Sequence, residues 1–138
     1  MQNMIDSEKS GIMFSANPVT RSRDEIIIEG SYGLGEAVVS GQVTPDNYVV
    51  DKKSMRPKDI KVNVKRIAIV RNRSTGATEK ITLEPEQANS RCLTEEEIMR
   101  LAELATGIEL HYGKPQDMEW AIAKGKVYIL QSRPITTL

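Results

Sequence analysis

The stretch that decides the fold lies near the end of the chain, at residues 115–134, with the sequence PQDMEWAIAKGKVYILQSRP. Apolar runs on either side of a short Lys-Gly-Lys segment predict two strands joined by a tight turn. Asp117 and Glu119 are two residues apart on the first strand, and Gln131 and Arg133 are two apart on the second. Because side chains alternate between the two faces of a strand, each pair shares a face.

The length of the turn decides which residues of the two strands are paired. A two-residue turn at Lys124-Gly125 pairs Glu119 with Leu130, which places an acid on an apolar face. A three-residue turn instead pairs Ala123 with Val127. A shift of one residue moves every side chain to the other face, so the hydrophobic pattern selects the register.

The longer turn places Glu119 opposite Gln131 and Asp117 opposite Arg133. All four polar groups then lie on one face of the hairpin. We therefore predict the three-residue turn, with an opposite, apolar face made of Met118, Trp120, Ile122, Tyr128 and Leu130.

The rest of the chain predicts more strands than helices. We expect an antiparallel pair from residues 11–15 and 25–29, and a short helix over Glu36–Val39 in a glycine-rich stretch. Alternation from Ile60 predicts a half-buried strand to Arg71, with a bulge or break near residues 65–66. Further strands are expected at residues 48–51 and 78–83. The pattern is typical of an α+β fold with a mainly antiparallel sheet and few helices.

Sequence signals predict both the start and the end of one helix. Thr94 and Glu97 form the sequence of a capping box, in which each side chain accepts a hydrogen bond from the other's backbone amide. Gly113 and Pro115 predict the end of the helix. Apolar residues recur at helical spacing between these signals, at Ile98, Leu101, Ala102, Ala105 and Ile108.

Composition narrows the class of protein. The 138 residues contain 39% hydrophobic and 28% charged residues, enough for one domain with a core. Lysine plus arginine and aspartate plus glutamate both number 19, which argues against a general nucleic-acid binder. The single cysteine excludes an internal disulfide framework. No apolar run approaches the roughly 20 residues that span a bilayer, and no signal peptide is evident, so we expect a cytoplasmic protein without a membrane partner.

The polar groups of the hairpin suit a metal ion and phosphates. Glu119 and Gln131 can direct oxygens to one point, and Mg²⁺ usually combines one or two carboxylates with substrate phosphates. The planar guanidinium of Arg133 can bind phosphate oxygens. The alternative is an exposed sheet face with a Glu–Gln pair and an Asp117–Arg133 ion pair.

Two other stretches leave alternatives open. Residues 30–36 are rich in glycine but match neither a Walker A loop nor a dinucleotide fingerprint. Glycines there can let a ligand approach the backbone, with Glu36 as a further metal-facing carboxylate, or they can form a tight turn with a solvated glutamate. The basic stretch 56–73 has no interleaved aromatic residue for base stacking, so a solvated strand face is the better interpretation.

Four motifs in order carry a resemblance that covers nearly the whole chain. They are SGIMFSANPVT at 10–20, YGLGEAVVSG at 32–41, PQDMEW at 115–120 and ILQSRP at 129–134. Together they resemble the PEP/pyruvate-binding ATP-grasp domain shared by phosphoenolpyruvate synthase (pyruvate, water dikinase), pyruvate phosphate dikinase and rifampicin phosphotransferase. The resemblance is to the C-terminal half only of that domain. Residues 52–92 match least distinctly and are expected to form a β-rich excursion.

The resemblance implies a phosphotransferase that holds Mg-ATP and passes a phosphoryl group to a carrier histidine on another domain, and then to pyruvate. ATP-binding residues would be Glu36, Asp117, Gln131 and Arg133. Glu119 and Gln131 would bind Mg²⁺, and Arg133 would also stabilise the transferred charge.

The resemblance also implies partners that this chain lacks. They are an N-terminal ATP-grasp subdomain and a phosphohistidine domain, in cis or in trans, so the chain alone is expected to be an inactive fragment. The alternatives are part of a rifampicin phosphotransferase-like enzyme, or a non-catalytic interaction module that keeps the half-domain fold.

Overall fold

The computed structural model describes residues 7–72 and 74–136. Its helices are α1 (Glu36–Val39), α2 (Pro85–Ala88) and α3 (Glu95–Tyr112). Its strands are β1 (Lys9–Phe14), β2 (Glu25–Tyr32), β3 (Asp46–Asp51), β4 (Arg56–Lys61), β5 (Ile67–Arg71), β6 (Thr78–Thr82), β7 (Gln116–Ala123) and β8 (Lys126–Pro134).

Two sheets are formed by these strands. Six strands pair in the order β4-β3-β2-β1-β7-β8, and β5 and β6 form a separate hairpin. Every pairing is antiparallel. The predicted α+β class with a mainly antiparallel sheet is confirmed, as are the β1–β2 pair and the short helix α1.

Helix α3 covers one face of the six-stranded sheet. The predicted capping box is present: Thr94 accepts from the Glu97 amide and Glu97 accepts from the Thr94 amide. Gly113 closes the helix in the left-handed conformation. The apolar side of α3 packs against strand residues in one core, which contains Met13, Ile26, Ile28, Tyr48, Val50, Leu93, Ile98, Leu101, Ala102, Ala105, Met118, Trp120 and Ile122.

Trp120 lies where two glycines are paired across β1 and β2. Gly11 pairs with Gly30 on one side and with Trp120 on the other. A methyl group on Gly30 would come within 2.9 Å of the indole ring, which itself is fully buried. The missing side chain of Gly30 therefore leaves the space that the largest core residue fills.

The hairpin β7–β8 differs from its predicted form at the turn. Ala123 pairs with Lys126, so the turn has two residues, and both Lys124 and Gly125 have positive φ. The prediction of a three-residue turn is wrong. A left-handed pair of central residues is the geometry that matches the twist of the flanking strands.

A β-bulge nevertheless restores the predicted pairing at the polar end. The register shifts between Glu119 and Trp120, which leaves Leu130 as the extra residue of β8. Glu119 then lies opposite Gln131, and Asp117 opposite Arg133, as predicted.

Near the turn, the apolar face of the hairpin contains other residues than those predicted. Val127 and Ile129 pair with Ile122 and Trp120 and pack against the core. Tyr128 and Leu130, which the longer turn would have placed there, are 37% and 50% exposed.

The predicted strand from Ile60 to Arg71 is interrupted over residues 62–66. β4 ends at Lys61 and β5 begins at Ile67, which confirms a break near the expected place. Val62 and Val64 are exposed, and Lys65 is completely buried, so the expected apolar and solvated sides are wrong here. The reason is a buried partner for Lys65 that the local alternation does not reveal.

That partner is Asp46, at the centre of what we name the Asp46 cluster (Asp46, Tyr48, Asn63 and Lys65). The Lys65 Nζ lies 2.6 Å from Asp46 Oδ1, and both side chains are fully buried. The Asp46 carboxylate also accepts hydrogen bonds from the backbone amides of Asn63 and Cys92 and from the Tyr48 hydroxyl. The Tyr48 hydroxyl in turn accepts from the Leu93 amide.

The Asp46 cluster ties three segments of the chain together. It joins β3 to the irregular residues 62–66 and to the start of α3, and Lys65 also donates to the Asn63 carbonyl. Burial raises the pKa of the Tyr48 hydroxyl and raises that of the Cys92 thiol to about 12, so both remain protonated at neutral pH. The cluster is a structural polar core in which both oxygens of the Asp46 carboxylate accept two hydrogen bonds each.

Candidate functional site

The face of the six-stranded sheet opposite α3 carries a groove of about 240 Å³. Strands β1, β2, β7 and β8 form its floor, and α1 forms one apolar wall. Its lining residues are Ile12, Phe14, Glu29, Val38, Val39, Asp117, Glu119, Gln131 and Arg133. The four polar residues of the predicted hairpin face therefore all line one cavity.

One row of side chains crosses the floor of the groove. Asn47, Glu29, Ile12, Glu119 and Gln131 are directly paired from strand to strand. Directly paired residues of antiparallel strands point to the same face, so the row presents two carboxylates and two amides, with Ile12 between the acids.

A second row lies two residues along the strands. Phe14 pairs with Asp117, which pairs with Arg133. The Arg133 Nε donates to Asp117 Oδ2 at 3.1 Å. The terminal nitrogens of this guanidinium make no hydrogen bond with the residues that the structure describes, so they remain available to a ligand in the groove.

Glu119 and Gln131 have no partner among the described residues. No hydrogen bond or ion pair joins either side chain to another side chain or to backbone within 7–72 and 74–136. Both side chains carry oxygen atoms that can bind a metal ion, and Glu119 is only partly exposed. A carboxylate and an amide oxygen on neighbouring strands suit Mg²⁺, which takes its remaining ligands from water and phosphate.

The protein alone does not complete a metal site. In the part of the chain that the structure describes, no three histidine, cysteine, aspartate or glutamate side chains are grouped to hold a metal ion. A cation in the groove would therefore need a ligand such as a phosphate to complete its coordination, as is usual for Mg²⁺.

Glu36 is not brought into the groove. It is the first residue of α1 and is exposed, whereas Val38 and Val39 of the same helix line the cavity. The glycines before it serve the fold: the Leu34 amide donates to the Ile69 carbonyl, and a methyl group on Gly33 would meet that oxygen at 2.6 Å. The geometry agrees with the alternative of a tight turn and a solvated glutamate.

Glu29 is a groove residue that sequence analysis missed. It follows three consecutive isoleucines and was assigned only to a strand. Desolvation by burial raises the pKa of its carboxyl group, and no described residue pairs with it. The pairing of Ile12 with both Glu29 and Glu119 places the two acids in one row, and this pairing follows from the strand order and not from a local sequence signal.

Comparison with a family model gives a match over residues 1–138. The model is that of the AMP/ATP-binding domain of pyruvate phosphate dikinase. This finding corrects the narrower expectation of a C-terminal half only, because the model of the AMP/ATP-binding domain is matched by the whole chain with no half singled out.

Curated relatives agree with the family model. The chain is 51% identical to a probable phosphoenolpyruvate synthase of Pyrococcus abyssi and 53% identical to one of Methanothermobacter thermautotrophicus. It is 44% identical to the rifampicin phosphotransferase of Bacillus cereus. Each match covers all of this chain but only 18%, 20% and 16% of the relative, so the chain spans about a fifth or less of their length. No helix of the described residues is long and apolar enough to cross a membrane.

Proposed function

Because the chain belongs to the AMP/ATP-binding domain family of pyruvate phosphate dikinase, we propose that its groove holds the phosphates of Mg-ATP. The groove would serve phosphoryl transfer of the phosphoenolpyruvate synthase type. The first acceptor would be a carrier histidine on another domain, and the second would be pyruvate. One observation supports the proposal above the rest: Asp117, Glu119, Gln131 and Arg133 line one cavity.

Each polar group has a separate task in this proposal. Glu119 and Gln131 would hold Mg²⁺, which supplies neutralisation of phosphate charge when bound. Arg133 would place its two terminal nitrogens on phosphate oxygens and stabilise the charge of the transferred group. Asp117 orients Arg133 through Nε, and so keeps the guanidinium against the groove. Phosphoryl transfer depends mainly on such positioning and charge neutralisation.

We propose the wider arrangement from family membership. The chain would form part of an ATP-grasp unit, with residues 52–92 as a β-rich excursion that includes the β5–β6 hairpin. Remaining walls of the nucleotide site, the carrier histidine and the pyruvate site would lie in other parts of a longer protein, since the relatives extend far beyond the match. The chain by itself would then release neither AMP nor phosphoenolpyruvate from ATP and pyruvate.

A second candidate is the same module in an antibiotic phosphotransferase. The 44% identity to rifampicin phosphotransferase supports it, and the identities of 51% and 53% to two probable phosphoenolpyruvate synthases rank it second. Both hypotheses use the same groove and differ in the acceptor. Assay of the whole protein with pyruvate and with rifampicin separates them.

Nucleotide binding tests the groove directly. Mg-ATP is titrated into the chain, alone and with the remaining part of a phosphoenolpyruvate synthase supplied in trans, and binding is followed by calorimetry. We expect Glu119→Ala and Arg133→Ala each to weaken binding at least 10-fold, about 1.4 kcal/mol.

Glu103→Ala is the matched control for this experiment. Glu103 is an exposed carboxylate on α3, which covers the other face of the sheet. Binding that tolerates Glu119→Ala and Arg133→Ala as well as it tolerates Glu103→Ala would favour a non-catalytic interaction module.

A further inference from the structure

Glu29 has the environment of a ligand-binding carboxylate without a ligand. It lines the groove from β2, partly withdrawn from water, and no described side chain or backbone amide donates to it. Its direct neighbours are Ile12 on β1 and Asn47 on β3. A carboxylate that loses water without gaining a partner is destabilising, and such groups are concentrated at functional sites.

The position of Glu29 relative to Glu119 is fixed by the sheet. Both pair directly with Ile12, one from each side, so they lie two strands apart on the same face. Adjacent strands are about 4.8 Å apart, which places the two backbones about 10 Å apart. That span is within the combined reach of two extended glutamate side chains, so both carboxylates can face a hydrated ion above Ile12.

We propose that Glu29 is a further binding residue of the groove, which holds the divalent cation of the nucleotide through a coordinated water from the side opposite Glu119. This inference rests on the function proposed above and adds a cation-binding group from a second part of the chain. Mg²⁺ keeps several of its waters in most protein sites, so a carboxylate that accepts from a metal-bound water is chemically ordinary. Such outer groups typically contribute 10- to 100-fold to metal affinity.

A purely structural role would require a partner for the carboxylate. Two nearby acids in the described part of the chain do have one: Asp46 on the neighbouring strand β3 is bound by Lys65, and Glu25 on β2 itself is bound by Lys58. The nearest basic residue in the Glu29 row is Lys61, which lies beyond Asn47, two strands away. The cation in the proposed arrangement supplies the charge that the fold does not.

The test uses Mn²⁺ as the probe, with and without ATP. Mn²⁺ affinity at saturating ATP is measured by electron paramagnetic resonance for the wild type and for Glu29→Gln, Glu119→Gln and the control Glu103→Gln. We expect Glu29→Gln to lower the affinity about 10-fold and Glu103→Gln to leave it unchanged. Thermal unfolding without metal is the second readout, in which Glu29→Gln is expected to raise the melting temperature because it removes an unpaired, partly buried charge.

Each outcome decides one question. Mn²⁺ affinity that falls in Glu119→Gln but not in Glu29→Gln overturns the inference and leaves the proposed function standing. A wild type that binds no Mn²⁺ with ATP, even with the remaining part of a phosphoenolpyruvate synthase supplied in trans, overturns the proposed function and the inference together. A lower melting temperature for Glu29→Gln without metal would show that the carboxylate supports the fold, which also overturns the inference.

Discussion

The molecule contains two polar clusters that differ in how far their hydrogen bonds are satisfied. In the Asp46 cluster, the buried carboxylate receives a lysine, two backbone amides and a tyrosine hydroxyl. In the groove, Glu29, Glu119 and Gln131 receive nothing from the described residues and face an open cavity. The first arrangement stabilises a fold, and the second is what a binding site requires before its ligand arrives.

The largest expected effect is on the Asp46 cluster. Lys65→Met leaves the Asp46 carboxylate buried without a cation, and we expect the free energy of unfolding to fall by about 3–5 kcal/mol in urea denaturation. The control is Lys58→Met, which removes a lysine that is 58% exposed beside Glu25 and should lower stability far less, because solvent screens an exposed ion pair. Equal costs for the two variants would show that burial does not separate the cluster from a surface ion pair.

Replacing a hydrogen-bonded polar side chain at the surface should lower stability by less. Thr94→Ala removes the side-chain half of the capping box of α3, so about 1 kcal/mol of stability should be lost. Thr94→Ser keeps the hydroxyl oxygen and should lose much less. A loss in Thr94→Ser as large as that in Thr94→Ala would point to the methyl group and not to the cap.

Low pH should lower the stability that the capping box at the start of α3 provides. Desolvation favours the neutral form of Glu97, but hydrogen bonds from Lys9 and Thr94 together outweigh it, and the pKa of Glu97 is lowered. A lowered pKa gives stability that is present above the usual value of glutamate, about 4.3, and lost as the pH falls through the lowered one. We expect wild-type stability to decline more steeply below pH 4.3 than that of Glu97→Gln, in urea denaturation at stepped pH.

The smallest effect on stability is expected in the groove. Glu119→Gln removes no hydrogen bond that the described structure contains, and the free energy of unfolding should change by less than about 0.5 kcal/mol. The same variant should lose most of its Mg-ATP affinity. A large loss of stability would contradict the separation of the two clusters, because it would make Glu119 a structural residue.

Local sequence signals correctly predicted the elements that are determined by contacts between residues close in the chain. The capping box of Thr94 and Glu97 fixes the start of α3 through contacts within four residues. The face shared by Glu119 and Gln131 followed from alternation and was correct. The turn between them was wrong because alternation alone cannot distinguish a longer turn from a two-residue turn followed by a bulge.

Long-range pairings account for what the sequence did not reveal. Lys65 is buried because it forms an ion pair with Asp46. Asp46 lies 19 residues earlier in the chain, so no local periodicity links the two residues. Glu29 and Glu119 are 90 residues apart and share a groove only because β1 lies between their strands. Which acids converge is a property of strand order, and strand order was not deduced from the sequence.

The bulge at Leu130 has a consequence for how this hairpin can vary among related proteins. It separates the residues that close the turn from those that face the groove, so an added residue in the turn can be balanced by loss of the bulge without moving Gln131 or Arg133. A change in turn length is therefore compatible with an unchanged binding face when the bulge compensates for it. Aligning relatives by turn length would misplace the two residues, whereas aligning them by the strand opposite, from Asp117 to Glu119, would keep them in register.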